Sequence, residues 1–370
     1  MATITAEDRT ALIDSLRRLL ADKSGEADVR RVMETPEGYD PALWRQLADM
    51  GVVGLVVEEE FGGVGAGPVE LELVMEEAGA ALLCAPLISS GVLAAGLIQA
   101  LGDAEAKSRL LPPIADGSKI ATVALAGPNG GWTRETVSVS AKPAGDGWTL
   151  DGLASFVTHG QNADILLVVA TTSDGVGVFE VQPGAAGVAI KPLPTFDHTL
   201  RLADVSLTAA PASRIGAPGD AWPAVEKALD LTRVALAGEQ AGGAKRALDM
   251  TVDYAKTRVQ FGRLIGSFQA IKHMAADILL ETESAISAAR AAARALAEGA
   301  NDAGAQISLA AFACADAFAA VTSQAIQMHG GIAFTWAHPA HLYLRRARAD
   351  AQLFGTSAAY RERFLAELGA

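Results

Sequence analysis

The feature that most constrains the fold is a change in hydrophobic period along the chain. Residues 5–115 repeat apolar side chains at the i, i+3, i+4 spacing of helices. Residues 118–217 instead carry short β-rich runs separated by turn residues, and residues 222–370 return to long alanine-rich helical segments. Because a chain of 370 residues is too long for one compact core, this pattern predicts an N-terminal helical domain, a small β-barrel or β-sandwich domain and a C-terminal four-helix bundle. The predicted domains are residues 1–117, 118–217 and 218–370.

Composition and charge narrow the class of protein. The formal net charge of −13 argues against nucleic acid as a partner. The N-terminal segment is polar, and no apolar run is judged long enough to span a bilayer, so neither a signal peptide nor a membrane span is expected. Cys84 and Cys314 lie in apolar surroundings and are expected to be buried free thiols. That expectation favours a reducing, cytoplasmic setting.

A basic loop joins two helical runs between residues 254 and 277. Arg258, Gln260 and Gln269 supply donors suited to a phosphate or to the edge of a ring. Gly262 and Gly266 are expected to permit a tight reversal between the two helices. On the residues alone, a phosphate-binding loop and an ordinary helix hairpin with a polar loop both remain open.

The same stretch resembles the RxxFG…FQ helix junction of acyl-CoA dehydrogenases. Residues 327–334 (QMHGGIAF) resemble the QxxGGxG[FY] signature of that family, and residues 354–357 (FGTS) stand where it has EGTS. The motifs occur in the family's order, and the helical, β, helical pattern extends the resemblance over essentially the whole chain. It implies FAD as cofactor, an acyl-CoA substrate and electron-transfer flavoprotein as electron acceptor. It also implies a homo- or hetero-oligomer, a tetramer in the family, whose flavin sites cross a subunit boundary.

The resemblance assigns a set of flavin-binding residues. Residues 156–160 (FVTHG) resemble the [FW]ITNG strand that flanks the flavin ring. Ala126 and Trp132 replace a threonine and a serine of the family, and this loses two donors at roughly 1 kcal/mol each. The backbone N–H groups of Gly130 and Gly131 are expected to compensate in part. The assigned residues are Phe156, Thr158, Arg258, Gln260, Phe261, Gln269, Gln327, Gly330, Gly331 and Thr356.

The resemblance also implies a thioester site and a reaction. Asp230 and Arg233 match the DxxR that contacts CoA, although a surface ion pair is the alternative. In the implied reaction a carboxylate takes the α-proton of the acyl thioester, and the flavin accepts the β-hydrogen as hydride. Most of the family places this glutamate where Phe354 stands, and a smaller branch places it where Thr232 stands. Neither residue can accept the proton.

Glu239 is the remaining candidate for the catalytic base. It lies seven residues after Thr232 and therefore close to the same face of the predicted helix, about 10 Å further along. Its neighbours in sequence are uncharged and small, and a carboxylate buried there is expected to have a raised pKa. The alternative is a structural glutamate paired with an arginine.

Several functions remain open at the level of the sequence. The first is FAD-dependent α,β-dehydrogenation of an acyl-CoA to the 2-enoyl-CoA, with Glu239 as base. The second is a non-catalytic subunit of a heteromeric acyl-CoA dehydrogenase that acts on fatty acyl or steroid side chains. Other flavin chemistry on the same fold, such as oxygenation or nitroalkane oxidation, is the third. A ligand-binding or scaffolding protein without flavin is the last.

Overall fold

The computed structural model describes residues 5–369 as eleven α-helices, a seven-stranded sheet and a two-stranded hairpin. The helices are α1 (Ala6–Lys23), α2 (Glu26–Met33), α3 (Pro41–Asp49), α4 (Pro68–Ala80), α5 (Ala95–Leu101), α6 (Ala104–Ala115), α7 (Trp222–Thr257), α8 (Gln269–Glu298), α9 (Ala303–His329), α10 (Ala340–Asp350) and α11 (Ser357–Glu367). The strands are β1 (Ala121–Ala124), β2 (Ser140–Ala144), β3 (Gly147–Thr158), β4 (Ile165–Thr172), β5 (Gly175–Val181), β6 (Val188–Pro192), β7 (Leu202–Ile215), β8 (Val259–Gln260) and β9 (Arg263–Leu264).

The predicted order of a helical region, a β region and a second helical region is confirmed. Helix ends follow the local sequence: Thr5 and Asp8 form a capping box at α1, and Asp40 caps α3 just before Pro41. Gly299 ends α8 in the left-handed conformation, which glycine adopts without steric cost.

The chain divides into two compact units. The first unit comprises Val32–Gly67 and Cys84–Thr232, and contains the sheet. The second comprises Thr5–Arg31, Pro68–Leu83 and the chain from Arg233 onward, and contains the long C-terminal helices.

The sheet of the first unit closes on itself. Antiparallel pairs run from β2 to β3, β7, β5 and β4, and a single pair between Ser140 of β2 and Thr171 of β4 completes the ring. β1 adds to β4 in parallel and β6 adds to β7. Leu150, Val168 and Phe179 lie in its core at 0% exposure. The closed ring leaves fewer open strand edges and matches the small barrel expected from the alternating strands.

The helices of the second unit pack closely because their contact faces carry small residues. Ala237 of α7, Ala289 of α8 and Ala310 of α9 share one buried cluster. Helix α4 lies directly on the backbone of α7. A Cβ added to Gly238 would lie 2.6 Å from the carbonyl oxygen of Glu72, so glycine is required for this approach.

Replacing Gly242 by alanine tests this packing. The new methyl would overlap the carbonyl oxygen of Glu76 on α4, and we expect a loss of about 3 kcal/mol in the free energy of unfolding. The matched control is Gly304→Ala on α9, where the added methyl meets only the flexible end of Glu367. This control should be neutral or more stable by up to about 1 kcal/mol. The stabilities of the two variants are compared by their midpoints of guanidinium denaturation. Equal midpoints would refute the close approach of α4 and α7.

One sequence expectation about apolar runs is wrong. Among residues 5–369, the segment Ala303–Phe334 is long and apolar enough to cross a membrane by length and composition alone. In its most apolar window 56% of the residues are buried inside the protein, as in a core helix. The two thiols follow the prediction, since Cys84 and Cys314 are both buried and neither belongs to a disulfide.

Candidate active site

The predicted phosphate-binding loop is a two-residue hairpin turn. β8 pairs with β9, and Phe261 and Gly262 form the turn with φ of 52° and 77°, the left-handed values that a tight hairpin turn requires. Gly266 does not take part in this reversal, contrary to the expectation. It lies in a short 3-10 turn where an added Cβ would be 2.8 Å from the carbonyl oxygen of Ala255.

The donors of this loop face outward. The side chains of Arg258, Gln260 and Gln269 are exposed, and Phe261 is 91% exposed. Arg263 is positioned differently, because its guanidinium lies 3.9 Å from the ring centre of Phe268. The hairpin and the start of α8 therefore present two arginines, two amides and an aromatic ring on the surface of the second unit.

The second glycine segment lies beside this loop. The ring of Tyr254, in the last turn of α7, stacks on the ring of His329 at the end of α9, with centres 4.5 Å apart. This contact brings Arg258 and the Gln327–Gly331 segment to the same region of the second unit. Gln327 is exposed, and among the described residues no atom lies within 4 Å of a Cβ added to Gly330 or Gly331.

The predicted ring-binding strand ends in a β-bulge in the first unit. The pairing of β3 with β7 shifts between Ala154 and Val157, and Phe156 at the bulge has φ of 57°. Phe156 is half-buried, and Gly130 lies next to its ring. Thr158 is 4% exposed, and its carbonyl accepts a 2.6 Å hydrogen bond from the hydroxyl of Thr122.

The neighbouring segment lacks the donors that the family supplies. Ala126 and Trp132 are both buried, and neither side chain has a hydroxyl group. The N–H of Gly130 donates to the carbonyl of Gly127 at 2.9 Å, so it does not replace a missing donor as the sequence suggested. Compensation by backbone groups is therefore left to Gly131.

The position of the usual catalytic glutamate is filled by a buried aromatic ring. Phe354 is 1% exposed, has φ of 59°, and accepts a 2.7 Å hydrogen bond at its carbonyl from the hydroxyl of Tyr360. Thr356 caps α11, because its side chain accepts from the N–H of Ala359 at 3.3 Å. This segment is held by contacts within the second unit and offers no carboxylate at residue 354.

The other predicted thioester residues are also largely enclosed. Thr232 is fully buried, and its hydroxyl donates to the carbonyl of Ala228 at 2.7 Å. Asp230 is half-buried on α7. Arg233 is 6% exposed and lies over the ring of Tyr360 at 5.7 Å, so it is not the surface residue that the alternative reading required.

A small cavity lies beside Arg233 in the second unit. Its volume is about 10 Å³, and Gln240, Asp350 and Tyr360 also line it. A space of this size accommodates about one water molecule. It does not accommodate an acyl chain.

Glu239 is paired rather than isolated. It is 6% exposed, and its Oε1 accepts a hydrogen bond from the guanidinium of Arg346 on α10, which is 4% exposed. The charged neighbour comes from another helix and not from the uncharged stretch of α7 around Glu239. The pair matches the structural alternative, in which the glutamate is bonded to an arginine.

A different carboxyl has the surroundings that were expected for Glu239. Glu72 on α4 is 1% exposed, and its Oε1 has no hydrogen-bond partner within residues 5–369. Burial and then the charge of Glu76 raise the pKa of Glu72 to about 8, while Arg290 and Arg294 act in the opposite direction. Arg290 donates to both oxygens of Glu76 at 2.9 and 3.1 Å. Sequence reasoning missed Glu72, because its neighbours in the chain are alternating leucines and glutamates with no distinguishing pattern.

The residues present fit one part of FAD better than the other. Arg258, the exposed amides and the open backbone of Gly330 and Gly331 provide the donors that a pyrophosphate requires. In the first unit, Phe156 and Thr158 are in place, but Ala126 and Trp132 lack the hydroxyl groups of the family's threonine and serine. The residues assigned to the phosphates are exposed, whereas two of the hydroxyl groups expected beside the ring are absent.

Comparison with known proteins identifies the family. The family model described as Acyl-CoA dehydrogenase, N-terminal domain matches residues 6–118, and that described as Acyl-CoA dehydrogenase, C-terminal domain matches residues 219–368. Acyl-CoA dehydrogenase IpdE2 of Mycolicibacterium smegmatis is 34% identical over 95% of this chain and 95% of that protein. Among solved structures, a variant of the Tcur3481-Tcur3483 steroid ACAD is 32% identical, with a TM-score of 0.88 over 98% of each chain. The ChsE4-ChsE5 complex of Mycobacterium tuberculosis is 30% identical, with a TM-score of 0.90 over 100% of this chain and 99% of that one. The chain belongs to the acyl-CoA dehydrogenase family.

Proposed function

We propose that this chain is one of two unlike subunits of a FAD-dependent acyl-CoA dehydrogenase, and that the other subunit supplies the carboxylate that takes the α-proton. The observation that carries this proposal is that none of the positions considered for the catalytic base holds an unpaired carboxylate. Phe354 occupies the usual position as a buried ring, and Glu239 is bonded to Arg346. The names of the similar structures support a complex of two chains and a steroid acyl-CoA as the substrate class.

In this proposal the residues assigned to the flavin phosphates are used, and the residues assigned to the flavin ring are not. When bound, FAD supplies the acceptor for the β-hydrogen of the thioester. Arg258 and the glycines at 330 and 331 contact the phosphates of a flavin whose ring lies in the other subunit. The side chains lost at 126 and 132 are then no obstacle, because this chain's own ring-binding strand is not needed for the reaction.

The competing hypothesis is a dehydrogenase complete in one chain, with Glu239 as the base. It requires Arg346 to release the carboxylate when substrate binds. It also requires the chain to bind flavin and acyl-CoA without a second protein.

Co-expression tests the proposal. The chain is purified alone and together with an acyl-CoA dehydrogenase chain from the same genome that carries glutamate at the position of Phe354. We expect stable association, and visible flavin absorbance in the complex at one flavin for each pair of chains. Thioesters from butanoyl-CoA to steroid acyl-CoA should bleach the complex and leave the chain alone unchanged.

A matched pair of arginine variants tests which residue of the hairpin contacts the flavin. Arg258→Gln should weaken flavin binding by the complex about tenfold to a hundredfold, the usual effect of losing one charged hydrogen bond. Arg263→Gln, in the same hairpin but packed on Phe268, should leave flavin binding within about threefold. A chain that binds flavin and is bleached by an acyl-CoA on its own would refute the proposal.

A further inference from the structure

A cluster of aromatic rings lies directly behind the glycine segment of the second unit. His329 stacks on Tyr254 with ring planes at 29°, and the ring of His338 also lies 4.5 Å from His329. The three rings connect the end of α9, the last turn of α7 and the loop before α10. Gly330 follows immediately, with φ of 67° and ψ of −148°, so its backbone conformation is set next to this cluster.

The hydrogen bonds of His329 define its tautomer. Its Nδ1 lies 2.7 Å from the carbonyl oxygen of Ala325, and since a carbonyl only accepts, Nδ1 carries the hydrogen. Nε2 is then without hydrogen in the neutral ring. This atom is buried and has no hydrogen-bond partner in the described part of the chain, and the residue is 4% exposed. A proton added at Nε2 would create a buried donor without an acceptor.

Protonation of His338 is also expected to destabilise its surroundings. Its Nδ1 accepts a 3.2 Å hydrogen bond from the N–H of Ala340 at the start of α10. A protonated imidazole carries hydrogen on both nitrogens, so it cannot accept this bond. Protonation of His338 therefore removes a contact at the start of α10, and protonation of His329 places an unsatisfied buried donor at the end of α9; both changes destabilise the segment between the two helices.

The charges around the cluster do not compensate a new cation. Glu26 and Arg30 face it from α2, and Arg345 faces it from α10 beside His341. From α7, the phenol ring of Tyr254 contacts both His329 and His338. One carboxylate is thus opposed by two guanidinium groups.

Burial is the main cause of the titration behaviour of the three histidines. It lowers the pKa of His329 more than the hydrogen bond to the carbonyl of Ala325 raises it. Burial and then His329 lower the pKa of His338. Burial and then Arg345 lower the pKa of His341 to about 4. The cluster is accordingly neutral at physiological pH.

We propose that His329 and His338 form a pH-dependent clamp, which fixes the backbone of Gly330 and Gly331 while both rings are neutral and releases it when either ring is protonated. Gly330 and Gly331 are taken to contact flavin phosphates, and in this respect alone the clamp rests on the proposed function. In the released segment the histidines titrate near their ordinary pKa of about 6.5. The fixed form binds fewer protons, so it is fully stable above pH 6.5 and is lost as the pH falls below that value.

Hydrogen exchange of the protein without added flavin tests the clamp. Amide exchange of residues 326–342 is compared at pH 8 and pH 5.5, with correction for the intrinsic rate. We expect protection to fall about tenfold or more in the wild type, because each depressed histidine contributes up to tenfold per pH unit. The double variant His329→Phe with His338→Asn should keep its protection, since phenylalanine retains the stacked ring and asparagine retains an acceptor for Ala340.

The control is His273→Gln, an exposed histidine of α8 outside the cluster, which should show the wild-type pH dependence. If the double variant does not fold, imidazole resonances of the wild type from pH 8 to pH 5 replace it, and loss of protection must coincide with their titration. Protection that does not depend on pH in the wild type overturns the clamp. Loss of protection in the double variant equal to that of the wild type also overturns it. Failure of the two-chain complex to bind flavin would refute the proposed function, and the exchange measurement on this chain would be unaffected.

Discussion

Replacing Arg346 by methionine is expected to lower the free energy of unfolding by about 3–5 kcal/mol, the usual cost of breaking a buried ion pair from one side. Arg346 and Glu239 are 4% and 6% exposed and bonded to each other. Without the guanidinium, the carboxylate of Glu239 keeps a charge among helix faces that provide little water. The shift of the guanidinium denaturation midpoint measures the loss.

Two further variants give this prediction its control. The double variant Glu239→Leu with Arg346→Met removes both charges, and it should recover most of the lost stability, because well-packed apolar residues often replace a buried pair without net cost. Arg361→Met breaks a pair with Asp316 in which both side chains are about half exposed, and it should cost at most about 1 kcal/mol. A loss below about 1 kcal/mol for Arg346→Met alone would mean that Glu239 does not depend on this pair.

Replacing Glu72 by glutamine is expected to remove a pH dependence of stability. The carboxyl has a pKa of about 8 in the folded protein and an ordinary value of 4.5. Between these values the folded state binds more protons than the unfolded state, so stability decreases as the pH rises. The loss between pH 4.5 and pH 7.5 is on the order of 4 kcal/mol. Glu72→Gln should therefore be more stable than the wild type at pH 7.5 and similar to it at pH 4.5.

Denaturation midpoints at half-unit steps from pH 5 to pH 8 measure this slope. Glu70→Gln is the matched control, because Glu70 lies on the same helix and is bonded to Arg9 at 2.5 Å. The control should retain the wild-type slope. A Glu72→Gln variant whose stability changes with pH as steeply as the wild type would show that Glu72 is not the group responsible.

The elements of this fold were predictable because they follow from local sequence. Hydrophobic periods of 3.6 and 2 residues distinguish the helical regions from the strands. Gly262 indicates the hairpin turn, because the turn requires a positive φ that glycine adopts without steric cost. The exposed donors Arg258 and Gln260 were likewise predictable, since a short polar turn cannot bury them.

The partners of the buried polar groups were not predictable from the sequence. Arg346 is 107 residues from Glu239, and nothing in the run of arginines at 345, 346 and 348 indicates which one turns inward. Tyr254 and His329 also meet only because α7 and α9 end side by side. Such contacts depend on how helices pack, and helix periodicity does not specify which helices are neighbours.

On this proposal the chain does not itself take the α-proton. The most direct measurement is the rate at which an acyl-CoA bleaches the flavin of the complex that carries Glu239→Gln in this chain. Glutamine retains an amide oxygen that can accept from Arg346 and cannot act as a base, so we expect a rate within about twofold of the wild type. Loss of a general base typically costs about a hundredfold or more. A hundredfold decrease in the folded, flavin-containing variant would refute the proposal and make Glu239 the catalytic base.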